Sequence, residues 1–241
     1  MRIAVLSDIH ANLHAFKAVV KDLKKERPNH IVFLGDLIVN GLYPKACYDL
    51  LYDLNVNVNL NGNTDLFSEY FLSHEPANEA EQYCKTIADY ALDRVPNSVM
   101  LAFEFQGIYE SKVYGTKSIG FCHGTPFDVE ERSVEIELSE KTKKKLLELE
   151  LNTLLCGHTH IPAQFMLGDM QVINFGAVGY SFDRDTRAAY GILEVTEDGI
   201  FPIQKRVPYD IDRYLKEIKK AAPPFEENLS YIIEHAHPRG S

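Results

Sequence analysis

Short apolar runs that end in polar residues alternate with amphipathic segments along the first part of the chain. The run from Arg2 to Leu6 stops abruptly at Ser7-Asp8, as expected of a buried strand. Asn12 can cap a helix in which apolar residues recur every three or four positions. The apolar positions of this helix are Leu13, Phe16, Val19, Val20 and Leu23. A strand followed by a helix begins a βα unit.

The same order repeats further along the chain. Residues 30–34 form an apolar run closed by Gly35-Asp36, and a helix is predicted to begin near Pro44. Residues 55–60 alternate valine and leucine with asparagine, and residues 64–95 have helical spacing. Successive strands therefore end in polar residues at their carboxyl ends, where open α/β sheets place their functional sites.

The second half of the chain is mostly strand-like, with one amphipathic helix at about residues 140–149. Strands are predicted over residues 99–105, 113–122, 154–156, 164–167, 171–175, 190–195 and 201–207. Two helices, at 211–220 and 228–234, form a C-terminal helical tail of about 210–241, and residues 237–241 are predicted to be a frayed end or a non-native remnant. We predict an α/β fold in which two sheets pack on each other with helices outside. Because no linker interrupts the chain, residues 1–241 are expected to be one domain.

Composition and charge restrict the class of partner. The 241-residue chain has 45% hydrophobic and 25% charged residues, as globular proteins do. Its formal net charge of -10 argues against long nucleic acids and anionic membranes, since both are bound by basic surfaces. No signal peptide or membrane-spanning run is found, so a cytoplasmic protein is expected. The cysteines are far apart in sequence and are expected to be free buried thiols: Cys47, Cys84, Cys122 and Cys156.

Five polar clusters follow apolar runs and carry the candidate chemistry. They are Asp8-Ile9-His10, Gly35-Asp36, Gly62-Asn63-Thr64-Asp65, His123-Gly124 and Gly157-His158-Thr159-His160. Each alone is explained by turn chemistry or by a structural histidine. An Asp-x-His or His-x-His pair, however, places both side chains on the same side of an extended segment. Together the clusters predict a metal site.

These clusters resemble, in order, the motifs of the calcineurin-like metallophosphoesterases, within them the small bacterial and archaeal phosphodiesterase branch that includes diadenosine tetraphosphatase-like enzymes. Further stretches that are similar to the branch are residues 122–126, 174–179, 187–190 and 207–210. Ala11 and Phe175 depart from its pattern, as does Ala177. The resemblance covers nearly the whole chain, and it implies a four-layer α/β/β/α sandwich, the metallo-dependent phosphatase fold.

The resemblance also implies a set of ligands for two divalent metal ions. Asp8, His10 and His160 would bind one ion, whereas Asn63, His123 and His158 would bind the other. Asp36 would bridge the two ions. Imidazole, carboxylate and amide donors suit Mn²⁺, the expected ion, and also Fe, Ni²⁺ or Zn²⁺.

The implied activity is metal-dependent hydrolysis of phosphodiesters or nucleotide polyphosphates, with metal-bound hydroxide as nucleophile. Diadenosine tetraphosphate is one substrate that the resemblance implies. Asp36 and Asn63 would position the hydroxide and the phosphate, and Asn63 would contact the substrate. The expected partner is thus a small phosphate ester or nucleotide. The alternative is a non-catalytic protein-binding scaffold on the same fold, and pairing of the C-terminal helices leaves a homo-oligomer open.

One departure from the family's motifs bears on activity. Thr64 replaces the family's usual histidine, and a hydroxyl cannot serve as an acid near pH 7. General acid catalysis typically contributes about 10²–10⁴-fold, so poor leaving groups should suffer most. Without that histidine, Asp65 is left with the role of a helix cap. Arg187 is a candidate for a substrate phosphate contact, and its alternative partners are Asp183 and Asp185.

Overall fold

The computed structural model describes residues 1–239, so residues 240 and 241 of the expected frayed end lie outside the described part. The strands are β1 (Arg2–Leu6), β2 (His30–Phe33), β3 (Val58–Asn59), β4 (Tyr109–Tyr114), β5 (Lys117–Cys122), β6 (Thr153–Cys156), β7 (Ala163–Leu167), β8 (Met170–Asn174), β9 (Ala188–Val195) and β10 (Ile200–Val207). The helices are α1 (Leu13–Glu26), α2 (Pro44–Asp53), α3 (Asn63–Tyr70), α4 (Glu79–Leu92), α5 (Asn97–Glu104), α6 (Glu140–Leu147), α7 (Ile211–Ala221) and α8 (Glu226–His235).

The strands form two five-stranded sheets. The first has the order β10-β9-β1-β2-β3, and the second has the order β4-β5-β6-β8-β7. Strands β1, β2 and β3 run parallel, as do β5, β6 and β8. The loops that follow the parallel strands of one sheet therefore emerge at one edge, where side chains from several loops can meet.

Strand β1 shows why the molecule has four layers. Its side chains alternate between two buried faces. Ile3 and Val5 pack against residues of the second sheet, whereas Ala4 and Leu6 pack against the helices on the other side. Helices α1, α2, α4, α5, α7 and α8 contribute to that outer core, and α6 covers the far face of the second sheet. The predicted two-sheet α/β fold, with helices outside, is confirmed.

The predicted strand over residues 99–105 is wrong, because residues 97–104 form helix α5. Val99, Met100 and Phe103 bury one face of this helix. The segment is apolar at almost every position, so its pattern does not distinguish a strand from a short buried helix. The predicted strand over 113–122 is interrupted at Gly115, which has a φ of 64° and lies in the turn between β4 and β5.

The remaining predicted elements are present, with adjusted bounds. The long helical segment at 64–95 consists of α3 and α4, and the strand at 55–60 is reduced to β3. The cysteines are free; Cys84 is half-buried, whereas the other three are buried. In the part of the chain that the structure describes, no helix has the length and apolarity needed to cross a membrane.

Candidate metal centre

The predicted ligands meet at the carboxyl ends of the parallel strands, where loops from both sheets lie together. Asp8 and His10 lie in the loop after β1, and Asp36 follows β2. Asn63 is the first residue of α3. The second sheet supplies His123, after β5, and the pair His158 and His160, after β6. Both sheets therefore contribute side chains to one site.

The first group of side chains is Asp8, His10, Asp36 and His160, all of them buried. Each offers one ligand atom, and these atoms lie within 4.8 Å of one another. His160 Nε2 is 3.2 Å from both His10 Nε2 and Asp8 Oδ1. Nitrogen and oxygen donors that converge at such distances in a buried position form a pocket for a cation.

The second group is centred on the side-chain oxygen of Asn63. This Oδ1 atom is 3.0 Å from His123 Nε2 and 3.2 Å from His158 Nδ1. Asp36 lies between the two groups, since its Oδ2 atom is 3.4 Å from His10 Nε2 and 3.5 Å from His123 Nε2. Its other oxygen accepts a hydrogen bond of 2.9 Å from the Thr64 backbone N–H. The Asp36 carboxylate is thus fixed and faces both groups.

The carboxylates of the site are buried as anions. Burial alone would raise the pKa of Asp36, but the imidazoles of His123 and His10 outweigh it and hold the pKa well below its ordinary value. The pKa of Asp8 is also lowered, by His160 and His123 against the effect of burial. Asp8 Oδ1 faces His160 Nε2 at 3.2 Å, whereas Asp8 Oδ2 accepts no hydrogen bond from the described residues. A buried carboxylate with so few partners favours a nearby cation.

The histidines respond to this negative charge in different ways. Burial lowers the pKa of His10 to about 4, so its imidazole is neutral and able to bind a metal. Burial also disfavours charge on His123, but the Asp36 and Asp8 carboxylates outweigh it and raise its pKa to about 9. Without a metal, a proton on His123 supplies part of the positive charge that the site demands. The donor set therefore fits a divalent ion in chemistry as well as in geometry.

Backbone carbonyl groups orient the imidazoles. His123 Nδ1 donates to the carbonyl oxygen of Leu34 at 2.9 Å, and His10 Nδ1 lies 3.2 Å from that of Val39. Each contact leaves Nε2 to face the site. His158 is turned the other way, because its Nε2 contacts the Glu130 carbonyl oxygen at 3.1 Å and its Nδ1 faces Asn63. Such contacts fix the ring orientation and the tautomer that a metal ligand requires.

Asp65 contributes more than the helix cap that the sequence predicts. Its carboxylate accepts hydrogen bonds from the backbone N–H groups of Gly62, Asp36 and Leu37 at 2.9, 2.7 and 3.0 Å. The first closes the cap of α3, and the other two hold the loop that carries Asp36. Burial and the neighbouring Asp36 carboxylate raise the pKa of Asp65 to about 7, despite these hydrogen bonds. Asp65 thus links the positions of Asp36 and Asn63.

The candidate ligands occupy strained backbone positions. Five of them have φ between 47° and 66°, a region that residues other than glycine rarely adopt. They are Asp8, His10, Asp36, His158 and His160. Ala11, at the position where the family usually has glycine, has a φ of 48°. Strain of this kind persists where surrounding contacts impose it, and it concentrates at functional sites.

Other contributors have no signal in the sequence strong enough to assign them. The side-chain amide of Asn174 donates to the Gly157 carbonyl oxygen and to Thr159 Oγ1, which fixes the loop that carries His158 and His160. The ring of Phe182 stacks on His160 with centroids 4.4 Å apart. Residues 174–179 stand out as a motif, but the contact of Asn174 with the His-x-His loop depends on tertiary structure.

Arg187 is engaged outside this cluster. Its Nε and Nη2 atoms donate to the Asp185 carboxylate, with the shortest contact at 2.6 Å, and its side chain is 52% exposed. Asp183 instead pairs with Arg206. The structure therefore shows one of the alternative partners predicted for Arg187, and its contact with a substrate stays a prediction.

The two-sheet fold and the buried cluster of carboxylates and imidazoles are those expected of a metal-binding enzyme. Residues 1–198, most of the chain, match the calcineurin-like phosphoesterase superfamily domain. The chain belongs to the calcineurin-like phosphoesterase superfamily. The protein is accordingly a metal-dependent phosphoric ester hydrolase, as its motifs predict.

Known proteins resemble this chain along nearly its full length. An uncharacterized protein of Methanocaldococcus jannaschii is 29% identical over 242 residues, covering 92% of this chain and 93% of its own. The crystal structure of a metallophosphoesterase from Sphaerobacter thermophilus superposes with a TM-score of 0.76 at 24% identity, covering 98% of this chain and 99% of that one. A hypothetical protein from Pyrococcus horikoshii OT3 gives a TM-score of 0.80 at 19% identity with the same coverage. These structures show that the fold is shared.

Proposed function

We propose that the protein binds two divalent metal ions, in the first instance Mn²⁺, and hydrolyses phosphodiesters or nucleotide polyphosphates. The position of Asp36 carries the proposal, since one oxygen lies 3.4–3.5 Å from an imidazole nitrogen of each ligand group. Asp8, His10 and His160 would hold one ion, and Asn63, His123 and His158 the other. Diadenosine tetraphosphate belongs among the substrates to be tested.

The ions, when bound, would activate water as the nucleophile and neutralise charge on the phosphoryl group. The chain supplies the rest of the site. The Thr64 N–H and the contacts of Asp65 fix the Asp36 carboxylate and its loop, so that this carboxylate would be held in place to contact both ions. Asn63 lies at the start of α3, where the helix dipole favours an anion. Because the chain as a whole has a net charge of -10, attraction for phosphate would be concentrated at the bound ions.

Hydrolysis of bis-p-nitrophenyl phosphate tests the proposal. Activity is expected with Mn²⁺ and not in the presence of a chelator. Asp36→Ala removes the bridging carboxylate, so we expect a loss of more than about 100-fold, beyond the 10–100-fold typical of residues behind the ligands. Asp53→Ala, at an exposed position of α2, is the matched control. No turnover with any divalent ion, or unchanged turnover in Asp36→Ala, would overturn the proposal and favour a binding scaffold.

The substrate is best approached with a panel measured under the same conditions. Mononucleotides, cyclic nucleotides and dinucleoside polyphosphates separate monoesterase, diesterase and anhydride hydrolysis. The loops of a fold determine substrate choice, so the ranking of this panel reports on the residues around the metal centre.

A further inference from the structure

A cavity of about 260 Å³ lies directly beside the metal centre. Asn63 and Thr64, at the start of α3, line it. Asn40 lines it as well, and the Asn40 amide nitrogen is 3.3 Å from His10 Nδ1. Because Asn63 is a predicted ligand and also lines the cavity, the cavity adjoins the second ligand group, and Asn40 places it behind the His10 ring. A molecule whose phosphate is held at the metal centre can extend into it.

The lining of this cavity is largely apolar. Val39, Phe67 and Ile87 contribute to it, and Val39 and Ile87 are almost completely buried. The Phe67 ring is held by an edge contact with Phe71, with centroids 4.6 Å apart. Small-molecule sites typically occupy roughly 300–1,000 Å³, so this cavity is suited to one ring rather than to a long chain of groups.

The charge of the lining disfavours a second phosphate. Among the described residues that line the cavity, Glu130 carries the only charge, and this charge is negative. Its Oε2 atom is 3.5 Å from Asn63 Nδ2, close to the metal centre. A second phosphate in the cavity would lie near this carboxylate without a lysine or arginine from the described lining to neutralise it. An uncharged group avoids that repulsion.

We propose that this cavity, the ring cavity, binds an uncharged and largely apolar ring that is attached through oxygen to the phosphoryl group at the metal centre. This assignment rests on the proposed function, since the metal centre holds the phosphate. It narrows the substrates to ring-bearing phosphoesters, of which aryl esters are the simplest. It disfavours chains of phosphates, and dinucleoside polyphosphates with them.

Cys84 provides a reporter for occupancy of the ring cavity. It lines the cavity and is half-buried, whereas Cys47, Cys122 and Cys156 are buried at 0–2% exposure. Alkylation of the folded protein by iodoacetamide should therefore modify Cys84 first. A ligand that fills the cavity will block this reaction, and a ligand confined to the metal centre will not.

The experiment compares phenylphosphonate with methylphosphonate on the Mn²⁺-loaded protein. Both carry an anionic phosphoryl group, and neither is hydrolysed at its carbon–phosphorus bond, so binding is measured without catalysis. The phenyl group adds apolar area to be buried, and we expect phenylphosphonate to bind about 10-fold more tightly. At saturation, phenylphosphonate should protect Cys84 from alkylation, whereas methylphosphonate should not.

Two variants of α4 test whether the preference for phenylphosphonate arises in the ring cavity. Cys84→Phe fills the cavity and should abolish the preference for phenylphosphonate while leaving the affinity for methylphosphonate unchanged. Gln82→Phe places the same side chain at an exposed position of the same helix and should retain the preference. Should Cys84→Phe fail to fold, wild-type protein alkylated at Cys84 provides the same comparison.

The possible failures are distinguishable. If both phosphonates bind equally well and Cys84 reacts at the same rate with either, the ring cavity is refuted and the metal centre stands. If neither phosphonate binds to the Mn²⁺-loaded protein, the proposed function fails and the ring cavity with it. Retention of the preference in Cys84→Phe would place the ring elsewhere and overturn the assignment.

Discussion

At the scale of single residues, Thr64 stands where the resemblance to the family implies a histidine. Its backbone N–H donates to Asp36, so the residue is part of the support of the metal centre. Its hydroxyl oxygen is buried and has no hydrogen-bond partner among the described residues. The Thr64 side chain cannot serve as an acid near pH 7, and it lines the ring cavity next to Asn63.

Thr64→His should restore a proton donor for the leaving group. Turnover of an alkyl phosphodiester is expected to rise by about 10²–10⁴-fold, the usual contribution of general acid catalysis. Turnover of bis-p-nitrophenyl phosphate should change little, because nitrophenolate leaves without a proton. The measurement is kcat for both esters with Mn²⁺, and Thr64→Val controls for loss of the hydroxyl. An equal rise for both esters would contradict a role in proton donation.

Asp65→Asn tests whether the three backbone hydrogen bonds accepted by Asp65 position the ligands. The amide replaces one acceptor oxygen with a donor and leaves a buried N–H without a partner, at a cost of about 1–3 kcal/mol in the free energy of unfolding. Loss of such support typically costs about 10–100-fold in metal affinity. Urea unfolding without metal and Mn²⁺ titration measure the two effects.

The matched control for this variant is Asp210→Asn. Asp210 caps α7 through a hydrogen bond from the Arg213 N–H, and asparagine caps helices about as well as aspartate. Asp210→Asn should therefore leave the free energy of unfolding and the affinity for Mn²⁺ unchanged. Wild-type metal affinity in Asp65→Asn would show that the Asp36 loop needs no such support.

At the scale of secondary-structure elements, Glu217 joins helix α7 to the rest of the helical layer. Its carboxylate accepts hydrogen bonds from His14 on α1 at 2.6 Å, from Arg213 on α7 at 2.9 Å and from the Tyr43 hydroxyl, just before α2. Contacts with Tyr43, His14 and Arg213 lower the pKa of Glu217 to about 2 from an ordinary value of 4.5. The ionised form is therefore favoured in the folded protein.

The lowered pKa of Glu217 predicts that the free energy of unfolding depends on pH. A lowered pKa in the folded state stabilises the protein above the unfolded-state pKa, and the contribution is lost as the pH falls from about 4.5 towards 2. Because Glu217 is partly exposed, we expect Glu217→Gln to lower the free energy of unfolding by only about 1 kcal/mol at pH 7. The difference from wild type should vanish near pH 2.

The chain has no tryptophan, so circular dichroism during urea unfolding at several pH values is the suitable measurement. Glu104→Gln, at an exposed position of α5, should follow wild type throughout. A constant difference between Glu217→Gln and wild type from pH 7 to pH 2 would show that the ionised carboxylate is not the source of the stabilisation.

Helices and strands whose apolar residues recur at a regular spacing can be predicted from the sequence, and those without such a spacing cannot. Helix α1 has a single apolar face and begins directly after its cap, Asn12, as predicted. Helix α5 is apolar at every position from Val99 to Phe103, and this run wrongly predicts a strand. Its true form is fixed by tertiary contacts, among them the hydrogen bond from the Asn61 amide to the Phe103 carbonyl oxygen.

At the scale of the whole molecule, the order of the motifs along the chain is enough to place the predicted ligands at strand ends. Parallel strands bring those ends to one edge, which a sequence pattern can anticipate. The residues that hold the predicted ligands in place are harder to predict from the sequence. Asn174 reaches the His158 loop because β8 pairs with β6, and Phe182 packs on His160 from the segment that connects β8 of the second sheet to β9 of the first. No local period or spacing encodes such contacts between distant segments.

The same arrangement makes metal binding a link between the sheets, because Asp8 and Asp36 follow strands of the first sheet, whereas His123 and His160 follow strands of the second. These residues meet only when the chain is folded, so the ion would bind the folded state and not the unfolded state. At 100 times its dissociation constant such a ligand contributes about 2.7 kcal/mol, which for a chain of this size raises Tm by about 5–10 °C. Thermal melts followed by circular dichroism, with Mn²⁺ and with a chelator, should show this difference in wild type and in Asp53→Ala. In Asp36→Ala, Tm should be the same with Mn²⁺ and with the chelator. If the wild type also melts at the same temperature under both conditions, the buried carboxylates are stable without a cation.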